Sequence, residues 1–189
     1  VFVLLLILMV SACGTIDELL GGGVDNTDST DVVDNDSDVL ALYGSGFLAE
    51  CMKNKKDSTL ENFYGFREGK MYYGYIAYES DDCSGEGVDT APTLNTYLQD
   101  AAMEGTPDHI YVFYTSIKEG GVPDGAVLLN LVDANQMYML AGPGVGDLPD
   151  TFSEFAEDEV VDAFVNDPGS LEGDIFFLLY MTRSDHFEF

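Results

Sequence analysis

Apolar and polar positions divide the chain into three stretches of different texture. Val1 to Val10 (VFVLLLILMV) is an uninterrupted apolar run. Gly21 to Asp38 (GGGVDNTDSTDVVDNDSD) has almost no large apolar residue and no basic one. Beyond about Leu40 come short segments rich in Tyr, Phe, Thr and Val, separated by turn clusters. Such segments predict strands: a lead-in over Ala41 to Cys51, then Ser58 to Phe66, Met71 to Tyr78, His109 to Ile117, Ala126 to Val132, Gln136 to Ala141 and Asp174 to Thr182. Arg67-Glu68-Gly69-Lys70 reads as a hairpin connection that makes its two flanking strands antiparallel, and Asp133-Ala134-Asn135 as a second short turn. Thr151 to Val165 predicts a helix: Thr151 and Glu154 stand at capping-box spacing, and Phe152, Phe155, Val160 and Phe164 fall near one face. Asn166-Asp167-Pro168-Gly169 would stop it. A shorter helix is predicted over Thr93 to Met103. The expected fold is mainly β, an antiparallel barrel or strongly curved sheet with one or two packed helices, the alternative being α+β.

Length separates two explanations of the first stretch. A membrane-spanning helix needs about 20 apolar residues. Ten is the length of a signal-peptide apolar core, and the small residues Ser11 and Ala12 follow it. With no initiator Met and no basic segment ahead of the run, the sequence is expected to start inside its signal. Val10-Ser11-Ala12-Cys13 resembles the lipobox of bacterial lipoproteins, a hydrophobic residue and two small ones before a cysteine. The resemblance implies diacylglycerol on the Cys13 thiol, cleavage just before it and acylation of the new amino terminus. Each buried methylene contributes about 0.8 kcal/mol, so several long chains make such an anchor effectively permanent. Gly14 stands where an Asp would signal inner-membrane retention, so by resemblance the destination is the outer membrane of a bacterial envelope. The competing reading is a buried core strand ending in a free cysteine. The organisation expected is a signal over 1–12, a lipidated acidic tether over 13–39 and a β domain over 40–189.

Composition narrows the partners. The chain has 35 acidic and 7 basic residues, a formal net charge of −28. Such a body repels phosphate backbones, which excludes nucleic acid as a partner. Its acidity is either a solvated surface that maintains solubility or a cation-binding surface, and the latter needs clustered ligands. Asp34, Asp36 and Asp38 alternate as in a calcium loop, but Val39 stands where that loop needs Gly, and Ser45 where it needs Glu. The stretch is therefore read as a self-repelling tether with no metal site.

With Cys13 given to lipid, Cys51 and Cys83 remain of the three cysteines. In an oxidising compartment an even pair reads as a disulfide, worth roughly 3 to 4 kcal/mol at this loop size. The rival, a thiolate metal site, lacks further cysteines, and the two histidines are far off in sequence. Phe47-Leu48-Ala49-Glu50-Cys51, Asp57-Ser58-Thr59-Leu60 and Asp82-Cys83-Ser84-Gly85 resemble the opening of small lipocalin-like bacterial lipoproteins, and Ala126 to Ala141 is similar to their later hairpin. Phe47 stands where those proteins carry Trp, and this chain has none. The resemblance implies an antiparallel barrel with a cavity for a small molecule or lipid.

Catalytic patterns do not emerge. Asp108-His109 and Asp185-His186 are adjacent pairs, and neighbours on a strand point to opposite faces. Gly44-Ser45-Gly46 is not a nucleophile elbow. The expectation is a non-enzymatic protein without a cofactor. It would bind an apolar or amphipathic small molecule in the barrel, or act as a structural module docking an envelope protein. Five of the seven basic residues (Lys53, Lys55, Lys56, Arg67, Lys70) lie between the first and third strands. They form either one positive spot suited to an anionic partner, if they share one end of the barrel, or a set of solvated turn residues.

Overall fold

The computed structural model describes residues 42–53, 59–142, 148–172 and 178–188. The lipobox, Cys13, the tether with Asp34, Asp36 and Asp38, and Lys55 and Lys56 lie outside the described residues. Among the described residues nine strands form one sheet: β1 (Ser45–Ala49), β2 (Met52–Lys53), β3 (Thr59–Arg67), β4 (Lys70–Tyr78), β5 (Val88–Asp100), β6 (Ile110–Ser116), β7 (Gly125–Leu131), β8 (Gln136–Gly142) and β9 (Leu178–Arg183). Every pairing is antiparallel. From β3 to β9 each strand pairs with the next, and β1 lies between β3 and β9, so the sheet returns on itself as a ring. β1 and β2 both run along β3 and act as one strand interrupted at Glu50–Cys51.

The β3–β4 connection is the two-residue turn that the sequence predicts. Arg67 pairs with Lys70, and Glu68 and Gly69 both take left-handed backbone, at φ 47° and 70°. Two left-handed residues in succession match the twist of the flanking strands. Gly69 accepts this geometry without penalty, and a Cβ there would already be 3.3 Å from the Leu98 carbonyl oxygen.

Thr93 to Met103 is not a helix. Residues through Asp100 extend β5, with Thr93 opposite Tyr73, Leu94 opposite Tyr72 and Tyr97 opposite Lys70. Thr96 and Leu98 are buried while Asn95 and Gln99 are exposed, a period of two. β6 covers only Tyr97–Asp100, so among the described residues the ring is incomplete alongside Val88 to Asn95. That edge carries Pro92 and two register shifts against β4, features that discourage pairing with another chain.

Two layers of core follow from strand alternation. Facing the interior, Phe47, Phe66, Phe113, Leu129, Met137 and Met181 are at most 1% exposed, so this part of the ring is filled by side chains. On the outer side, Ile110, Val112, Ala126, Leu128 and Leu140 meet two short helices, α1 (Phe152–Ala156) and α2 (Glu159–Asn166). β7 is therefore covered on both faces, which is why its sequence is apolar without alternation. Its one polar member, Asn130, donates from Nδ2 to the Phe164 carbonyl at 2.7 Å.

The predicted single helix is thus two. It breaks at Glu157–Asp158 because the Asp158 carboxylate accepts the amides of Val160 and Val161, at 2.8 and 3.3 Å, and starts a new helix. The restart rotates the apolar face by one position, so Val161 joins Phe164 in the core and Val160 is exposed. Thr151 makes no capping bond, although Glu154 does reach back to the Asp150 amide at 2.9 Å. α2 stops at Asn166, where the Asn-Asp-Pro-Gly stretch predicts.

Candidate functional site

Up-and-down connectivity gives the ring two ends. β1 begins at one of them, where β3, β7 and β9 finish and the β3–β4 and β7–β8 turns lie. The opposite end holds the β1–β2 interruption and the β4–β5 connection.

A disulfide joins Cys51 and Cys83 across this second end, with Cα atoms 5.8 Å apart. It ties the strand interruption to the β4–β5 connection. The ring interior nearby is aromatic and polar. Tyr64 and Tyr73 are paired residues with rings 5.4 Å apart, and Tyr75 follows at 6.3 Å. The Tyr73 hydroxyl donates to Asn62 Oδ1 at 2.9 Å, and Asn62 Nδ2 lies 3.0 Å from Met52 Sδ. Burial, with Tyr73 beside it, pushes the Tyr64 phenol up to about 12.

At the first end the alternation that fills the interior runs out into a concavity of about 370 Å³. Its floor is apolar: Leu42 ahead of β1, Phe47 of β1, Tyr111 of β6 and Leu131 of β7. Its rim carries Arg183 at the end of β9, Asp108 and His109 ahead of β6, and Asp133 and Ala134 of the β7–β8 turn. The Arg183 guanidinium carbon lies 5.6 Å from the Phe47 ring centroid, a cation–π arrangement. Backbone hydrogen bonds hold the rim. The Arg183 amide donates to the Asn135 carbonyl at 2.7 Å, and the Leu131 amide to the His109 carbonyl at 2.9 Å. The turn is closed by the Asn135 amide donating to Asp133 Oδ1 at 2.7 Å. These bonds fix the outline of the pocket through backbone groups and the Asp133 carboxylate.

His109 is exposed on that rim beside Asp108. His186, also exposed, pairs through Nε2 with Asp89 Oδ2 at 2.9 Å on β5, while Phe187 stacks on the buried Phe63. An ion pair this exposed contributes little to stability. The described lining of the concavity has neither a Ser nor a Cys nucleophile. Among the described residues no group of three or more His, Cys, Asp or Glu is placed to hold a metal.

The described basic residues do not form one spot. Lys53 ends β2 opposite Thr59, and Arg67 and Lys70 sit at the other end of β3. A nine-residue strand separates them, about 26 Å at the usual rise. The exposed large apolar side chains among the described residues are aliphatic, Ile117 and Val122 of the β6–β7 loop being the most exposed.

Comparison with protein-family models, with curated proteins and with solved structures finds no match to this chain.

Proposed function

We propose that this chain is a non-enzymatic lipoprotein of the bacterial envelope. In this reading Cys13 carries the lipid, the acidic tether spaces the domain from the outer membrane, and the ring binds a small apolar or amphipathic molecule. The observation that carries the binding reading is the concavity of about 370 Å³, floored by Leu42, Phe47, Tyr111 and Leu131. Small-molecule sites have this character, a volume of about 300–1,000 Å³ with a mostly apolar lining and a few placed polar groups. The ligand sits at the mouth of the ring rather than deep within it, because the layer beneath is filled by Phe113, Leu129 and Met137. Native mass spectrometry after incubation with an envelope lipid and metabolite extract tests it. A reproducible adduct that Leu131→Arg removes is expected, and a clean apo mass across several extracts would overturn the reading. For the anchor, Cys13→Ser is expected to abolish palmitate labelling and release the protein from the membrane fraction; retention of both would refute it.

The filled layer favours a second reading, in which the ring is a scaffold and an outer surface docks an envelope protein. Crosslinking in intact cells distinguishes the two readings: a specific protein adduct without any small-molecule adduct supports the scaffold.

A further inference from the structure

The charge around the mouth bears on which ligand it selects. A concavity in a low-dielectric body focuses the field of that body, and residues 40–189 carry 27 acidic against 7 basic residues, a net −20 of the chain's −28. The rim adds the carboxylates of Asp108 and Asp133, against the single guanidinium of Arg183 and the imidazole of His109. That guanidinium lies over the Phe47 ring, occupying one aromatic face of the pocket with a cation. Tyr111 supplies a second aromatic ring, and aromatic faces attract cations through their quadrupole. Leu42 and Leu131 supply the apolar floor.

Resting on the ligand reading above, we infer that the mouth pocket selects an organic cation, an amine or quaternary ammonium carried on a short apolar body. An anion of the same shape meets the same field with the opposite sign and is disfavoured.

The chain has no Trp, so a single introduced indole reports on its own surroundings. Ala134→Trp places that indole on the rim, at an exposed turn position. Val122→Trp places it in the exposed β6–β7 loop, which does not line the pocket. If the first variant fails to fold, the exposed rim position ahead of β6 is used instead, as His109→Trp. The full chain is titrated with hexyltrimethylammonium and, separately, with heptanoate, at low and at high salt. The expected result is a saturable emission change at the rim, with the ammonium binding about tenfold more tightly than the carboxylate at low salt. High salt is expected to narrow that gap. Asp108→Asn combined with Asp133→Asn, which keeps a side-chain oxygen for the turn, is expected to reduce the preference by about threefold.

Tighter binding of heptanoate would overturn the cation assignment and leave the pocket standing. An equal ammonium response in Val122→Trp would mean adsorption to the acidic surface and would also overturn it. No saturable change at the rim with either probe would remove both this assignment and the ligand reading beneath it.

Discussion

The disulfide offers a prediction whose size follows from the chain itself. Cys51 and Cys83 are 32 residues apart in sequence, and the bond closes that loop in the unfolded chain. In the chain-entropy model the unfolded state loses about 12 cal/mol/K for a loop this long, roughly 3.7 kcal/mol at 25 °C. The double substitution Cys51→Ala, Cys83→Ala is expected to lower the unfolding free energy by about 3–4 kcal/mol. Local fraying adds to that figure. Among the described residues β2 is held by two pairs, Met52 with Leu60 and Lys53 with Thr59, and no strand lies on the outer side of Val88 to Asn95. Urea unfolding followed by far-ultraviolet circular dichroism measures the change. The slope against urea should also rise, because an unlinked chain exposes more surface when it unfolds. A loss below about 1 kcal/mol with an unchanged slope would refute the reasoning, because loop closure would then not be restricting the unfolded ensemble.

Three further outcomes follow from side chains in the folded domain. Asn130→Ala removes the donor to the Phe164 carbonyl and should cost about 1–3 kcal/mol by urea unfolding, because that oxygen is then buried without its partner. Gly46→Ala would place a Cβ 2.4 Å from the Phe63 ring and 3.1 Å from the Ser184 carbonyl oxygen. It should cost about 1–3 kcal/mol and lower the thermal midpoint, overpacking being costly where a buried ring must move. The Tyr64 phenol titrates near 12 in the folded protein, against about 10 for an ordinary Tyr, so the folded state holds its proton longer. Its contribution is fully present below about pH 10 and is lost as pH rises toward 12. Tyr64→Phe should flatten the fall in stability over that window, with at most about 2–3 kcal/mol at stake.

Local chemistry is what made parts of the fold legible in sequence. The β3–β4 hairpin was marked by Gly69 between two aromatic-rich segments, and the disulfide by an even cysteine pair. Features set by tertiary context were harder to read. The stretch Thr93 to Met103 looks helical from Leu94, Leu98, Ala101 and Ala102, and pairing with β4 and β6 is what extends it through Asp100. Asp158 stands among Glu154, Glu157 and Glu159, so it reads as one more solvated acid although it caps α2. The mouth pocket has no sequence signature at all. Leu42, Tyr111, Leu131 and Arg183 come from distant segments, and Arg183 meets Phe47 only because β9 pairs with β1 to close the ring.

The binding claim is tested most directly by methyl-resolved nuclear magnetic resonance of the leucine- and methionine-labelled protein, titrated with the envelope extract. Ligand in the mouth predicts saturable shifts at Leu42 and Leu131, smaller ones at Leu129 beneath them, and none at Leu140 on the helix-covered face. Saturable shifts confined to the outer face, or no saturable shift anywhere, would contradict the account.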